Sequence, residues 1–139
     1  MTIERFNPTT MYHNPAWTQV LTVSGGSKLV FVSGQNGIDT EGNFVGKDIA
    51  SQSAQAYRNI VAGLEAAGAT MADVIKMTVY IVHGQSLDMA FGAAMGVAHE
   101  LGLHQSPPAA VTAIAVSGMA NPDALIELEV IAAISTEAD

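Results

Sequence analysis

The sequence predicts an α+β domain in which two helices cover one face of a mixed sheet. Two segments repeat apolar residues every three or four positions, and the runs around them alternate apolar with polar residues or are rich in β-branched ones. Their order is strand, strand, short strand, helix, strand, helix, strand, strand, with no internal repeat. A chain of 139 residues suits one domain, 1–139, able to bury a core without disulfides or metal.

Residues 1–17 carry the turn signals Asn7-Pro8 and Asn14-Pro15, which predict an irregular arm. Its Tyr12 and Trp17 are candidates for packing on the domain or for walling a ligand site. Gln19 to Val23 and Lys28 to Ser33 flank Ser24-Gly25-Gly26-Ser27, the pattern of a hairpin. Ser33-Gly34-Gln35 closes the second strand, where glycine signals a bend or a close approach. The turn Asp39 to Asn43 leads to a short Phe44-Val45 segment.

From Ala50 to Ala67 the residues Ala54, Tyr57, Ile60, Val61 and Leu64 define the inner face of the first helix, and Gly68 stops it. Val74 to Val82 reads as a strand with Ile75, Met77, Val79 and Ile81 on one face and Lys76, Thr78 and Tyr80 on the other. Ser86 is the N-cap expected for a second helix reaching Leu101, with Leu87, Phe91, Ala94, Met95 and Ala98 on its packed side. His99 sits favourably at the negative end of its dipole, and Gly102 ends it.

The last stretch, Pro107 to Glu129, reads as two paired strands joined by a Gly118 to Pro122 turn. Glu127 and Glu129 stand in an otherwise apolar run, and carboxylates are seldom left unpaired in such a setting. Lys76 is available to either as a cross-strand partner. Ala124 to Ile134 is apolar on both faces apart from them, so the face the helices leave open calls for burial against another subunit. Hydrophobic residues at 49% against charged residues at 13% point the same way.

A net charge of −8, with only Arg5, Lys28, Lys47, Arg58 and Lys76 as cations, speaks against nucleic acid as a partner. Apolar runs of about ten residues fall short of the roughly 20 that span a bilayer. The first residues lack a signal-peptide pattern, so a cytoplasmic protein without a membrane partner is expected. Without cysteine there is neither a disulfide nor a thiol nucleophile. His13, His83, His99 and His104 show no metal-ligand spacing, and Gly25-Gly26 lacks a phosphate-loop context.

Ser33-Gly34-Gln35, the Asp39 to Val45 turn, Gln52 with Arg58-Asn59-Ile60, Leu64 to Ala69, Asp73 to Tyr80 and Ile126 to Ala132 together resemble the Rid family. This is the YjgF-like group of reactive-intermediate imine/enamine deaminases, also labelled L-PSP endoribonuclease-like. The resemblance covers about Trp17 to Ile134 and rests on the order and spacing of these motifs. It implies a chorismate-mutase-like fold, a homotrimer with small-molecule clefts between subunits, and hydrolysis of 2-imino or 2-enamino acids without a cofactor.

Matched residue by residue, Glu127 takes the place of the glutamate that holds or activates water, and Ser33 with Gly34 the strand end lining the cleft. Trp17 stands where tyrosine is usual, Gly92 where asparagine often makes a polar contact, and Ala113 where a small polar or thiol residue is common. Allowing one extra residue in the Gly118 to Pro122 turn puts Val111 at the arginine that clamps the substrate carboxylate; a gap-free count chooses Thr112. No register restores the cation, because no Arg or Lys follows Lys76. A hydrogen bond to a charged group is worth about 1.5–3 kcal/mol, roughly ten- to a few hundredfold in affinity, so a 2-imino acid is expected to bind poorly. Arg5 or Arg58 of a neighbouring subunit is the remaining source of a clamp. A noncatalytic small-molecule binding or sensing trimer is the alternative reading.

Overall fold

A computed structural model describes residues 1–103 and 108–136. It contains β1 (Thr2–Phe6), β2 (Val20–Ser24), β3 (Ser27–Gln35), α1 (Ile49–Ala66), a 3₁₀ turn (Met71–Asp73), β4 (Val74–Val82), α2 (Leu87–Glu100), β5 (Ala110–Val116) and β6 (Ile126–Ser135). Both helices pack on one side of a four-stranded mixed sheet, as the sequence predicts. His104 and Pro107 lie outside the described residues.

The sheet order is β3-β6-β4-β5. β6 runs antiparallel to both β3 and β4, and β4 runs parallel to β5. The expected pairing of the last two strands is therefore wrong: β4 separates them, and β6 fills the gap between β3 and β4. The short link between β5 and β6 suggests a hairpin, yet β5 is carried to the sheet edge by the parallel crossover through α2.

Two other expectations fail for similar reasons. β2 and β3 form no hairpin, because β2 pairs with β1, and the arm read as irregular begins with that strand. Gly25 does adopt a positive φ of 84°, so the turn is real although the strands leave it in different sheets. The Phe44-Val45 segment amounts to a single bridge between Ile38 and Phe44.

The helices form where their caps and periods place them. The Asp48 side chain accepts from Ser51 Oγ at 2.7 Å and from Ser51 N at 2.8 Å to start α1, and these two hydrogen bonds hold its carboxyl below the usual value. Lys28 Nζ donates to Ala67 O at 2.8 Å beyond its end, where Gly68 turns at φ 78°. Ser86 caps α2 through Met89 N. The packed side of α2 is rotated from the predicted one: Ala90, Ala94, Val97 and Ala98 are buried, while Leu87 and Phe91 are exposed. Alanine and valine permit close contact with α1, and the bulkier residues remain at the margin.

The core lies between α1 and the helix-side face of the sheet, around Tyr57, Ile60, Leu64, Ile126 and Val130. Two of its buried side chains on α1, Gln52 and Ser53, are engaged through their polar atoms. Gln52 donates to Gly46 O and Asp123 O, each at 3.0 Å, and accepts from Leu125 N at 2.8 Å. Ser53 Oγ donates to Ala90 O at 2.7 Å, joining the helices. Ile75 belongs to a register shift, so Val74 takes the first core position of β4 in its stead.

Candidate functional site

Two neighbouring regions hold the residues singled out in the sequence, and the sheet lies between them. On the face away from the helices, Glu127 stands opposite Tyr80 and Glu129 opposite Thr78. Ile126 and Leu128, which alternate with them along β6, point to the helix side.

Glu127 is positioned by the strand end across from it. Between Val32 and Gln35, β3 advances one residue more than β6, a bulge at Ser33-Gly34. Gly34 lies so close to Glu127 that an added Cβ would fall on the carboxylate. The loop beyond supplies Asn36, whose Nδ2 donates to Ile126 O at 3.0 Å and to Glu127 Oε2 at 3.4 Å. Asn59 of α1 fixes that loop by donating to Asn36 O and Ile38 O, and is itself oriented by Gln55. Asn36 was not foreseen; its one sequence signal is its place directly after Ser33-Gly34-Gln35.

The expected cross-strand pair with Lys76 does not form. Lys76 Nζ donates to Thr112 Oγ1 at 2.7 Å, and the backbone partner of Lys76 on β6 is Ile131 rather than either glutamate. Glu129 accepts from the Tyr80 hydroxyl at 3.0 Å. That hydrogen bond, followed by burial and the charges of Glu129 and Glu127, raises the Tyr80 pKa above 10.0. Ser33, Lys76, Thr78 and Glu129 border a shallow recess on this face.

On the helix side, a cavity of about 580 Å³ lies between α2 and the sheet. Trp17, Phe91, Met77, Leu128, Val111 and Ala113 contribute to its wall. Thr18 explains how Trp17 arrives there: its N–H donates to Ala109 O at 3.0 Å and its hydroxyl to Pro108 O at 2.7 Å, tying the arm to the start of β5. Among the described residues, Asp88 is the one formally charged residue in the lining, and no Lys, Arg or His contributes to it. Tyr57 also lines the cavity; burial raises its pKa and keeps the phenol neutral.

The predicted site residues thus fall into two sets within one chain. Ser33, Gly34 and Glu127 gather at the open face, while Trp17, Val111 and Ala113 gather in the cavity. Gly92 joins neither, and a side chain added there would meet nothing within 4 Å. Arg58 is engaged by Glu100 at 2.6 Å across the two helices. Among the described residues no three His, Asp or Glu side chains gather closely enough to hold a metal ion, and no helix is long and apolar enough to cross a membrane.

The family model for Endoribonuclease L-PSP matches residues 6–134. The chain belongs to this family, the YjgF/Rid group. A RutC family protein of Pyrococcus abyssi is similar to this Rid chain at 41% identity over 104 residues, 74% of the chain and 76% of the relative. A Rid-family protein of unknown function from Yersinia pestis, YyfB, superposes with a TM-score of 0.76 at 31% identity, covering 96% of this chain and 100% of that one. TdcF of E. coli, solved with bound serine, gives a TM-score of 0.67 at 27% identity, covering 81% and 85%. These likenesses establish the Rid fold seen here.

Proposed function

We propose that this Rid-family chain forms a homotrimer with small-molecule clefts between subunits, and that it hydrolyses uncharged imines or enamines without a cofactor. The observation that carries the proposal is the wall at Val111 and Ala113, where the lining is mainly apolar and, among the described residues, holds no cation and Asp88 as its one formal charge. A substrate carboxylate would be desolvated there without a partner. An uncharged C=N compound avoids that cost.

The open face supports the assembly. Phe31 is 69% exposed, Leu29 49% and Ile114 42%, on the same face as Glu127. In the trimer that the family resemblance implies, these residues are covered, and Glu127 of one subunit faces the cavity of the next. Its carboxylate takes a proton from water as the water oxygen attacks the imine carbon. Glu127 returns that proton to nitrogen to complete the neutral carbinolamine, then takes the carbinolamine hydroxyl proton and passes it to nitrogen as the C–N bond breaks, releasing a carbonyl compound and ammonia. Asn36 holds one carboxylate oxygen and leaves the other for water.

Ammonia release from uncharged imines is expected to exceed that from 2-imino acids generated by an amino-acid oxidase. Glu127→Gln should reduce it about 10²- to 10⁴-fold with the protein still folded. Equal turnover by wild type and variant would refute the role given to Glu127. A second reading, noncatalytic binding or sensing, is favoured by one fact: the cavity exists within one chain, on the opposite side of the sheet from Glu127. Saturable binding without release of ammonia from any imine would select it.

A further inference from the structure

The cavity between α2 and the sheet has a one-sided charge. Among the described residues its lining holds one carboxylate, Asp88, and no Lys, Arg or His. Asp88 is exposed and takes part in no ion pair among the described residues. Its place in the first turn of α2 suits the helix dipole, which accounts for an acid there but not for the lack of a cation in the rest of the wall. Trp17 and Phe91 supply aromatic rings, whose faces attract positive charge. Of the two hydroxyls in the lining, Ser53 Oγ is spent on Ala90 O and Tyr57 Oη is closed to water, so neither is open to a ligand. Ligand pockets run from about 300 to 1,000 Å³, and this cavity of about 580 Å³ falls within that range.

We propose that the substrates of this cavity are N–H imines of apolar primary amines, and that Asp88 is the residue that favours their nitrogen end over an anionic one. This deepens the proposed function and rests on its placing an imine in this cavity. A carboxylate only accepts hydrogen bonds, and an N–H imine has a hydrogen to donate. The parent amine has the same skeleton and, as an ammonium, carries more donors and a full positive charge. A 2-imino acid adds a carboxylate that Asp88 repels and that no cation of the described wall receives. The reaction that supplies the substrate is therefore oxidation of an amine rather than of an amino acid. The amine loses a hydride from carbon and a proton from nitrogen, dioxygen takes both up as hydrogen peroxide, and a C=N bond is left. Water then converts the imine to a carbonyl compound and ammonia.

Benzylamine, benzyl alcohol and benzoate share one ring and differ in charge. Their affinities are read by calorimetry and by the emission of Trp17, the chain's only tryptophan and part of the wall. Benzyl alcohol both donates and accepts, so any bond from the Trp17 indole N–H is counted in its affinity. Benzylamine should bind about three- to tenfold more tightly than the alcohol, and benzoate at least about tenfold more weakly. Asp88→Asn should cut the amine's advantage about two- to fivefold, and Asp88→Glu, which keeps the charge, should retain it. Ala113→Phe, which narrows the cavity from the sheet side, should abolish binding of amine and alcohol alike. In turnover, benzaldimine released by a flavin-dependent amine oxidase should disappear faster with the protein than without it. The 2-imino acid formed from phenylglycine by an amino-acid oxidase should decay at its background rate.

The inference is overturned if benzylamine binds no better than benzyl alcohol, if benzoate matches either, or if the 2-imino acid is turned over as fast as benzaldimine. An amine advantage that survives Asp88→Asn, or that is lost equally in Asp88→Glu, also overturns it. Binding that persists undiminished in Ala113→Phe does so too, because the probes would then lie elsewhere. Failure of the hydrolase reading looks different: benzylamine binds with its Asp88 dependence, but benzaldimine decays no faster with the protein present. Glu127-dependent turnover of another imine, without preference for benzylamine over the alcohol, would sink this inference alone.

Discussion

The two faces of the sheet obey different rules. On the helix side, Gln52, Ser53 and Asn59 find partners within the chain, and the apolar residues between them are covered. On the open side, Phe31 and Leu29 are exposed on the face that also carries Tyr80, Glu127 and Glu129. One face is packed within a single chain apart from the cavity under α2; the other has the composition of an interface core with polar groups among it. The first specifies the fold, and the second is available to specify an assembly and its chemistry.

Placing a charge on the open face should break this contrast most sharply. Phe31→Asp is expected to shift the sedimentation mass from an oligomer to the 14.4 kDa chain while far-ultraviolet circular dichroism remains native. An unchanged oligomer would show that this face is not the contact. The helix side should respond in stability rather than assembly. Gln52→Leu leaves Leu125 N–H and the carbonyls of Gly46 and Asp123 without their partner, and should cost about 2–4 kcal/mol in urea unfolding. A loss below about 1 kcal/mol would mean that water replaces the glutamine.

The smallest expected effect concerns Tyr80. Its folded pKa lies above that of the unfolded chain because the hydrogen bond to Glu129 holds the neutral phenol. The contribution is therefore fully present below the unfolded value and is lost as pH rises through the folded one. Alkaline ultraviolet titration should place Tyr80 above an ordinary tyrosine, and Glu129→Gln should bring it back down. If the variant titrates like wild type, Glu129 is not the cause.

The sequence made some features legible because they are local. A capping serine, an apolar period and a terminal glycine lie within one helix, so Ser86 and Gly68 mark the ends of α2 and α1. Strand partners are set by distant residues. β5 and β6 are neighbours in sequence but have β4 between them in space, and nothing in their composition records this. The rotation of α2 follows from its preference for small residues against α1, information divided between two helices.

The site was legible in the same uneven way. Glu127 stood out as a carboxylate in an apolar strand, and the lack of any Lys or Arg after Lys76 could be read by counting. Asn36 and the place of Asp88 could not be read so directly. A single polar group becomes informative only when its surroundings are known: Asp88 has the pattern of an ordinary first-turn acid until it is found in the wall of a mainly apolar cavity. The separation of Glu127 from the Trp17 wall depends on sheet order together with side-chain alternation.

The insertion of β6 between β3 and β4 also bears on how the protein is born. During synthesis β3, α1, β4, α2 and β5 emerge before the strand that joins β3 to the rest of the sheet. Until residues 126–135 have been made, β3 and β4 each present an open edge toward an empty slot, and such edges invite pairing between nascent chains. The sheet is therefore closed from its middle by the last of its own strands to arrive, which makes the interval before that arrival a period of exposure to misassembly.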